Sequence, residues 1–218
     1  MLSSRELPVA ISLSLYDFFA HMVPGGVCLM AFLYGFHEAW LRSPAFTSLT
    51  TAQLLGLALI AYILGYLIDP LGNRWYRFFR KKTPKFGLSE SAATELTQDH
   101  PQIAINSRAM SWFVLLAYIK RRNLPMAQEI ERLNVTHIML RGVSFGLLLF
   151  SLVFCLKIFT AAHAWPQVSF SLLSMAAAYI IMQEAIKFRV WFYQSIYQSA
   201  IALHLKPDEL PVSYRKYL

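Results

Sequence analysis

Apolar residues along this chain gather in long runs, with little alternation and few narrow stripes. Four runs approach the roughly 20 residues that a helix needs to cross a bilayer. They cover about residues 15–36, 52–68, 142–162 and 168–182. Residues 143–156 (VSFGLLLFSLVFCL) have no polar face beyond two serines. A helix buried in a soluble core usually keeps a polar face, so this uniformity predicts spans. The expected fold is all-α: an integral membrane protein with four transmembrane helices, two of them extended into a helical cytoplasmic layer. A secretory signal peptide is not expected, because only Arg5 precedes the first run and no small-x-small cleavage site follows.

The same pattern divides the chain into an N-terminal helical hairpin (1–72), a basic helical region (73–136), a C-terminal long-helix hairpin (137–205) and a tail (206–218). Asp69-Pro70 predicts that the second helix ends there or another begins. The segment 69–141 is too long for a simple loop. Residues 89–98 read as a short polar helix capped by Ser89 and ended by His100-Pro101. Residues 102–122 are helical, and the apolar run 112–119 (WFVLLAYI) within them is too short to span a bilayer. Packing against the long helices is expected for it, with interfacial insertion second. Asn123 is a plausible N-cap and Pro125 suits a first helical turn. No breaker follows, so one helix is expected over 125–160 and another over 168–205. At 1.5 Å per residue these reach about 54 and 57 Å, beyond the roughly 30 Å of hydrocarbon. Their projecting parts offer Ile130, Leu133, Ile186, Trp191 and Tyr193 for pairing. Pro207 and Pro211 predict an extended tail, and no linker, low-complexity tract or internal repeat is visible.

Composition agrees with this picture. Of 218 residues, 56% are hydrophobic and only 15% charged, against about 25% charged in a typical soluble domain. Disorder is excluded, since disordered chains are polar and poor in aromatics. The net charge of +8 suggests nucleic acid until its distribution is read. Twelve of the 20 Lys and Arg lie in 69–141, while 163–167 has none. Cytoplasmic loops keep Lys and Arg, so the charge predicts a bacterial inner-membrane protein with both termini and the central region cytoplasmic. Direct nucleic-acid binding is not needed to explain it.

Within the central region, cations alternate with aromatics: Arg74, Trp75, Arg77, Arg80, Lys81 and Lys82. Such a mixture can stack on RNA bases. Directly after a span it is read as a membrane-interface segment contacting anionic lipid headgroups. Lys120, Arg121 and Arg122, with Lys206, Arg215 and Lys216 of the tail, are candidates for docking a soluble partner.

Candidates for chemistry are few. Asp17 and His21 share a helix face and could form a proton relay; the plainer reading is a helix start with Ser14 as N-cap. Asp17, Asp69, Arg141 and Glu184 fall near the inner boundary, where charges need partners. Arg141 with Glu184 is the preferred structural pair. Pro24, Gly25 and Gly26 predict a kink in the first span, serving as gate hinge or static bend. Lys157 is expected to snorkel to the outer headgroups, with a pore-lining role second. Cys28 and Cys155 read as buried free thiols. No catalytic motif is present, and His37, His100, His137, His163 and His204 lack partners at metal-ligand spacing. No enzyme activity, cofactor or metal is expected.

Tyr16-Asp17, Pro24-Gly25, Gly65-Tyr66, Arg141, Arg189 and Tyr193 resemble a broad group of bacterial four-span inner-membrane proteins. The span layout is also similar to the membrane subunit of the Kiwa anti-phage system. That resemblance implies a soluble DNA-binding partner subunit and a role in defence, and it transfers no catalytic residue. The expected function is a non-enzymatic scaffold or sensor that forms homo-oligomers and docks a soluble cytoplasmic protein. An oligomeric pore is the alternative, and a small transporter using Asp17 and His21 the second.

Overall fold

A computed structural model describes residues 7–36, 41, 43–44, 48–82, 112–159 and 164–203. The regular elements among them are helical. The five long ones are α1 (Leu7–Phe36), α2 (Thr51–Lys82), α3 (Trp112–Arg122), α4 (Leu124–Ile158) and α5 (Ala164–Ala202). All but α3 are long and apolar enough to cross a membrane. This is the architecture of a multi-pass membrane protein.

Local sequence accounts for two helix starts. α1 is already helical at Leu7. Ser14 is therefore interior to α1 and not its cap. Before α2, Thr50 and Gln53 form a reciprocal capping box. The Thr50 N–H donates to Gln53 Oε1 at 2.8 Å, and Gln53 N lies 3.4 Å from Thr50 Oγ1. Asn123 caps α4 as expected, with Oδ1 accepting from the Met126 N–H at 3.1 Å.

α2 does not end at Asp69-Pro70 but runs through it to Lys82. A proline frees one carbonyl inside a helix, whereas a helix end frees four. Near a membrane, continuing costs less. The uninterrupted helices expected over 125–160 and 168–205 are present as α4 and α5. The polar helix expected at 89–98, its His100-Pro101 end and the tail 206–218 lie outside the described residues, as do His37, His163 and His204.

The described residues form two packed units. The first draws on Met1–Phe79 and Val135–Ile186, and the second on Arg80–Asn134 and Lys187–Leu218. In the first unit α1 meets α2 almost backbone to backbone. A methyl group on Gly25 would overlap the Ala61 carbonyl, and one on Gly65 would overlap the His21 carbonyl. Small residues permit this approach. α1 also packs on α4, where a side chain on Gly142 would press on the Pro24 ring. The Pro24-Gly25-Gly26 segment thus lies within an unbroken α1 as a packing surface.

The second unit has its own apolar core. Leu115, Ile119, Ile130, Phe192 and Ile196 are at most 2% exposed, and Leu116, Tyr118, Tyr197, Trp112, Leu133 and Tyr193 pack around them. The short run 112–119 therefore packs against the long helices as expected. Trp191 and Ile186 do not join this core: Trp191 is exposed, and Ile186 is buried in the first unit.

Candidate functional site

Polar groups inside the first unit form three sets. In the first, Arg141 of α4 meets α2. Its Nη2 donates to Asp69 Oδ1 at 2.6 Å, and its Nη1 lies 3.5 Å from Asn73 Oδ1. The carboxylate facing Arg141 is thus Asp69, not Glu184 as the sequence suggested. Asp69 reaches it because α2 continues past Pro70. The Arg141 side chain is 13% exposed and that of Asp69 32%, so this partly buried pair holds α2 against α4.

The second set joins α1 to α2. Asp17 and His21 share a face, as expected. The His21 Nδ1 lies 3.0 Å from the Asp17 carbonyl. A carbonyl only accepts, so the ring proton belongs on Nδ1. Tyr66 completes the group: its hydroxyl donates to Asp17 Oδ2 at 3.1 Å, and its ring stacks on His21 at 3.8 Å with planes 4° apart. Tyr62 lies edge-on to Tyr66 at 5.1 Å.

The third set is a ladder between α4 and α5. His137, Ser144 and Ser151 recur every seven residues on α4, as do Ser171, Ala178 and Ala185 on α5. The His137 Nδ1 lies 2.9 Å from the Ala185 carbonyl. Ser144 donates to the Ala178 carbonyl at 2.6 Å and accepts from Trp75 Nε1 at 3.1 Å. Ser171 donates to the Ser151 carbonyl at 3.1 Å. Cys155 Sγ lies 3.0 Å from the Ser171 hydroxyl, and both cysteines are free thiols. The bonds of His137, Ser144 and Ser171 tie side chains to facing backbone, which fixes register where apolar contact alone does not. The seven-residue recurrence of small and hydroxylated residues was visible in the sequence as the one signal for this seam.

The aromatic and basic run on α2 separates into two faces. Arg74, Arg77, Phe78 and Arg80 are exposed, Tyr76 is buried, and Trp75 and Phe79 are partly buried. Trp75 bonds to Ser144, so its ring takes part in the packing of α2 on α4. The side chains of Lys81 and Lys82 lie outside the described residues. Lys157 stands over the Tyr34 ring at 4.1 Å, a cation–π contact in place of simple snorkelling.

In the second unit, Arg189 donates to Asn134 Oδ1 at 2.7 Å and to the Tyr193 hydroxyl at 2.8 Å. Among the docking candidates, Lys120, Arg121 and Arg122 are exposed. Lys120 pairs with Glu131 at 2.9 Å, and the Arg122 guanidinium lies 5.5 Å from the Tyr118 ring centre. Lys206, Arg215 and Lys216 lie outside the described residues. The described residues contain no group of three or more His, Cys, Asp or Glu able to hold a metal ion. Comparison with protein-family models, curated proteins and solved structures finds no match.

Proposed function

We propose that the chain is a non-enzymatic membrane scaffold or sensor. In this reading it self-associates in a bacterial inner membrane, with both termini cytoplasmic, and docks a soluble cytoplasmic partner. The observation that carries it is the second unit. Parts of α4 and α5, with α3, build a separate core around Phe192 and present Arg121 and Arg122 outward. A chain that needed only to cross the membrane has no use for such a unit. The features that could have served a pore are engaged otherwise: Gly25 packs on Ala61, and Lys157 sits on Tyr34. Anti-phage defence as the setting, with a DNA-binding partner subunit, rests on the resemblance alone.

The test is purification from the native host in mild detergent, followed by mass measurement. The proposal expects a homo-oligomer with a stoichiometric soluble protein, lost when Lys120, Arg121 and Arg122 are replaced by Gln. A lone monomer would refute it. The joined Asp17, Tyr66 and His21 favour a transporter as the second reading. Proton flux into proteoliposomes that disappears in Asp17→Asn would replace the scaffold by that reading.

A further inference from the structure

We propose that Arg74 and Arg77 of α2 form a binding site for the phosphate of an anionic phospholipid. Ile60, Ile63, Leu67, Leu71, Arg74 and Phe78 are spaced three or four residues apart, so they follow one line along the helix. All six are exposed. The line is aliphatic as far as Leu71 and then turns to Arg74, with Arg77 one turn away beside it. Leu67 is 67% exposed, which suits acyl chains and not water. Arg74 stands seven residues beyond Leu67, about 10 Å along the axis. An arginine there sits where acyl chains give way to headgroups.

Arg74 and Arg77 are three residues apart, so their side chains are neighbours able to converge on one anion. Neither makes an ion pair among the described residues, whereas Arg141 and Arg189 are occupied by Asp69 and Asn134. Phe78, half exposed and stacked on Trp75 at 6.1 Å, adds an apolar ring beside them. Two guanidiniums joined to an aliphatic stripe match a ligand with a phosphate at one end and hydrocarbon at the other. A nucleic acid or acidic peptide would leave Leu67 and Leu71 in water. A zwitterionic lipid brings a cation that two guanidiniums repel, so the site selects net negative headgroups.

The experiment offers the full chain in detergent an equimolar mixture of phosphatidylglycerol and phosphatidylcholine with identical acyl chains. Retained lipid is read by native mass spectrometry. The wild type should keep the phosphatidylglycerol preferentially. One cation near an anionic surface is worth about fivefold in binding, so R74Q/R77Q should lose roughly 25-fold in apparent affinity. Its melting temperature without lipid should stay unchanged, because both side chains are exposed. R132Q, elsewhere on the chain, should keep the wild-type preference. Equal retention of the two lipids by the wild type, or undiminished preference in R74Q/R77Q, would overturn the proposal. So would an oligonucleotide that occupies the two arginines in place of the lipid.

Discussion

Among the described residues, the first unit buries mostly small or hydroxylated side chains, with Met182, Ile186 and Tyr76 as large exceptions, whereas the second buries mostly large apolar ones. Ala20, Ala31, Ala61, Ala178, Ala185, Ser144, Ser151 and Ser171 are buried in the first unit, with Gly25 and Gly65 at its closest crossing. Many of its large apolar residues are exposed instead: Leu55 and Leu67 are each 67% exposed, and Leu172 is 62% exposed. In the second unit Phe192, Leu115, Ile119 and Ile196 are wholly buried, and among the described residues only Phe113 and Trp191 of its large apolar side chains are exposed. The proposed reading accounts for the difference by the surroundings, lipid for the first unit and water for the second. In water, burying a large apolar side chain is worth about 1.5–3 kcal/mol. Against lipid tails that gain disappears, and helices associate through close backbone approach and interhelical hydrogen bonds. One continuous helix such as α4 follows both rules in turn.

The largest expected effect tests that contrast directly. Phe192→Ala should cost about 3–5 kcal/mol of stability in detergent, as for a core phenylalanine in a soluble domain. Leu172→Ala, which removes three carbons where Phe192→Ala removes six, should stay within about 0.5 kcal/mol. Similar losses at the two positions, measured by thermal unfolding, would break the comparison. Next comes the ion pair of the first unit. Arg141→Gln leaves Asp69 without its partner and should cost about 3 kcal/mol. Glu184→Gln should cost less, since Asp69 holds the 2.6 Å bond to Arg141. The smallest effect belongs to a rung of the α4–α5 ladder. Ser144→Ala should lose about 0.6 kcal/mol, the average for an interhelical hydrogen bond within a membrane.

The four spans were legible because length and uniform hydropathy are properties of a segment and survive whatever packs beside it. The cap at Asn123 was legible for the same reason, its partner being three residues away. The reading failed where the outcome depends on another helix. Pro70 has a local preference to end α2, but the cost of free carbonyls outweighed it. Arg141 was matched with Glu184 on the assumption that α4 and α5 supply each other's partners. The continuation of α2 brought Asp69 to it instead. Trp75 was read from its charged neighbours alone, which do not show its bond to Ser144, 69 residues later. Asp17 and His21 were joined in the reading by their spacing, whereas Tyr66 comes from a second helix through the Gly25–Gly65 crossing. The serines of 143–156 were noted only as exceptions to an apolar run, and they mark its contact face.

The central claim is that lipid surrounds the first unit and water the second. Nitroxide labels at Ile63, Leu67 and Leu172, and at Arg121, Glu129 and Arg132, test it in proteoliposomes of the cysteine-free chain. Collision rates with oxygen, which concentrates in lipid, and with a water-soluble nickel chelate give the surroundings of each site. The account predicts high oxygen and low nickel accessibility at the first three positions, and the reverse at the second three. Nickel accessibility at Ile63, Leu67 and Leu172 equal to that at Arg121 would contradict it.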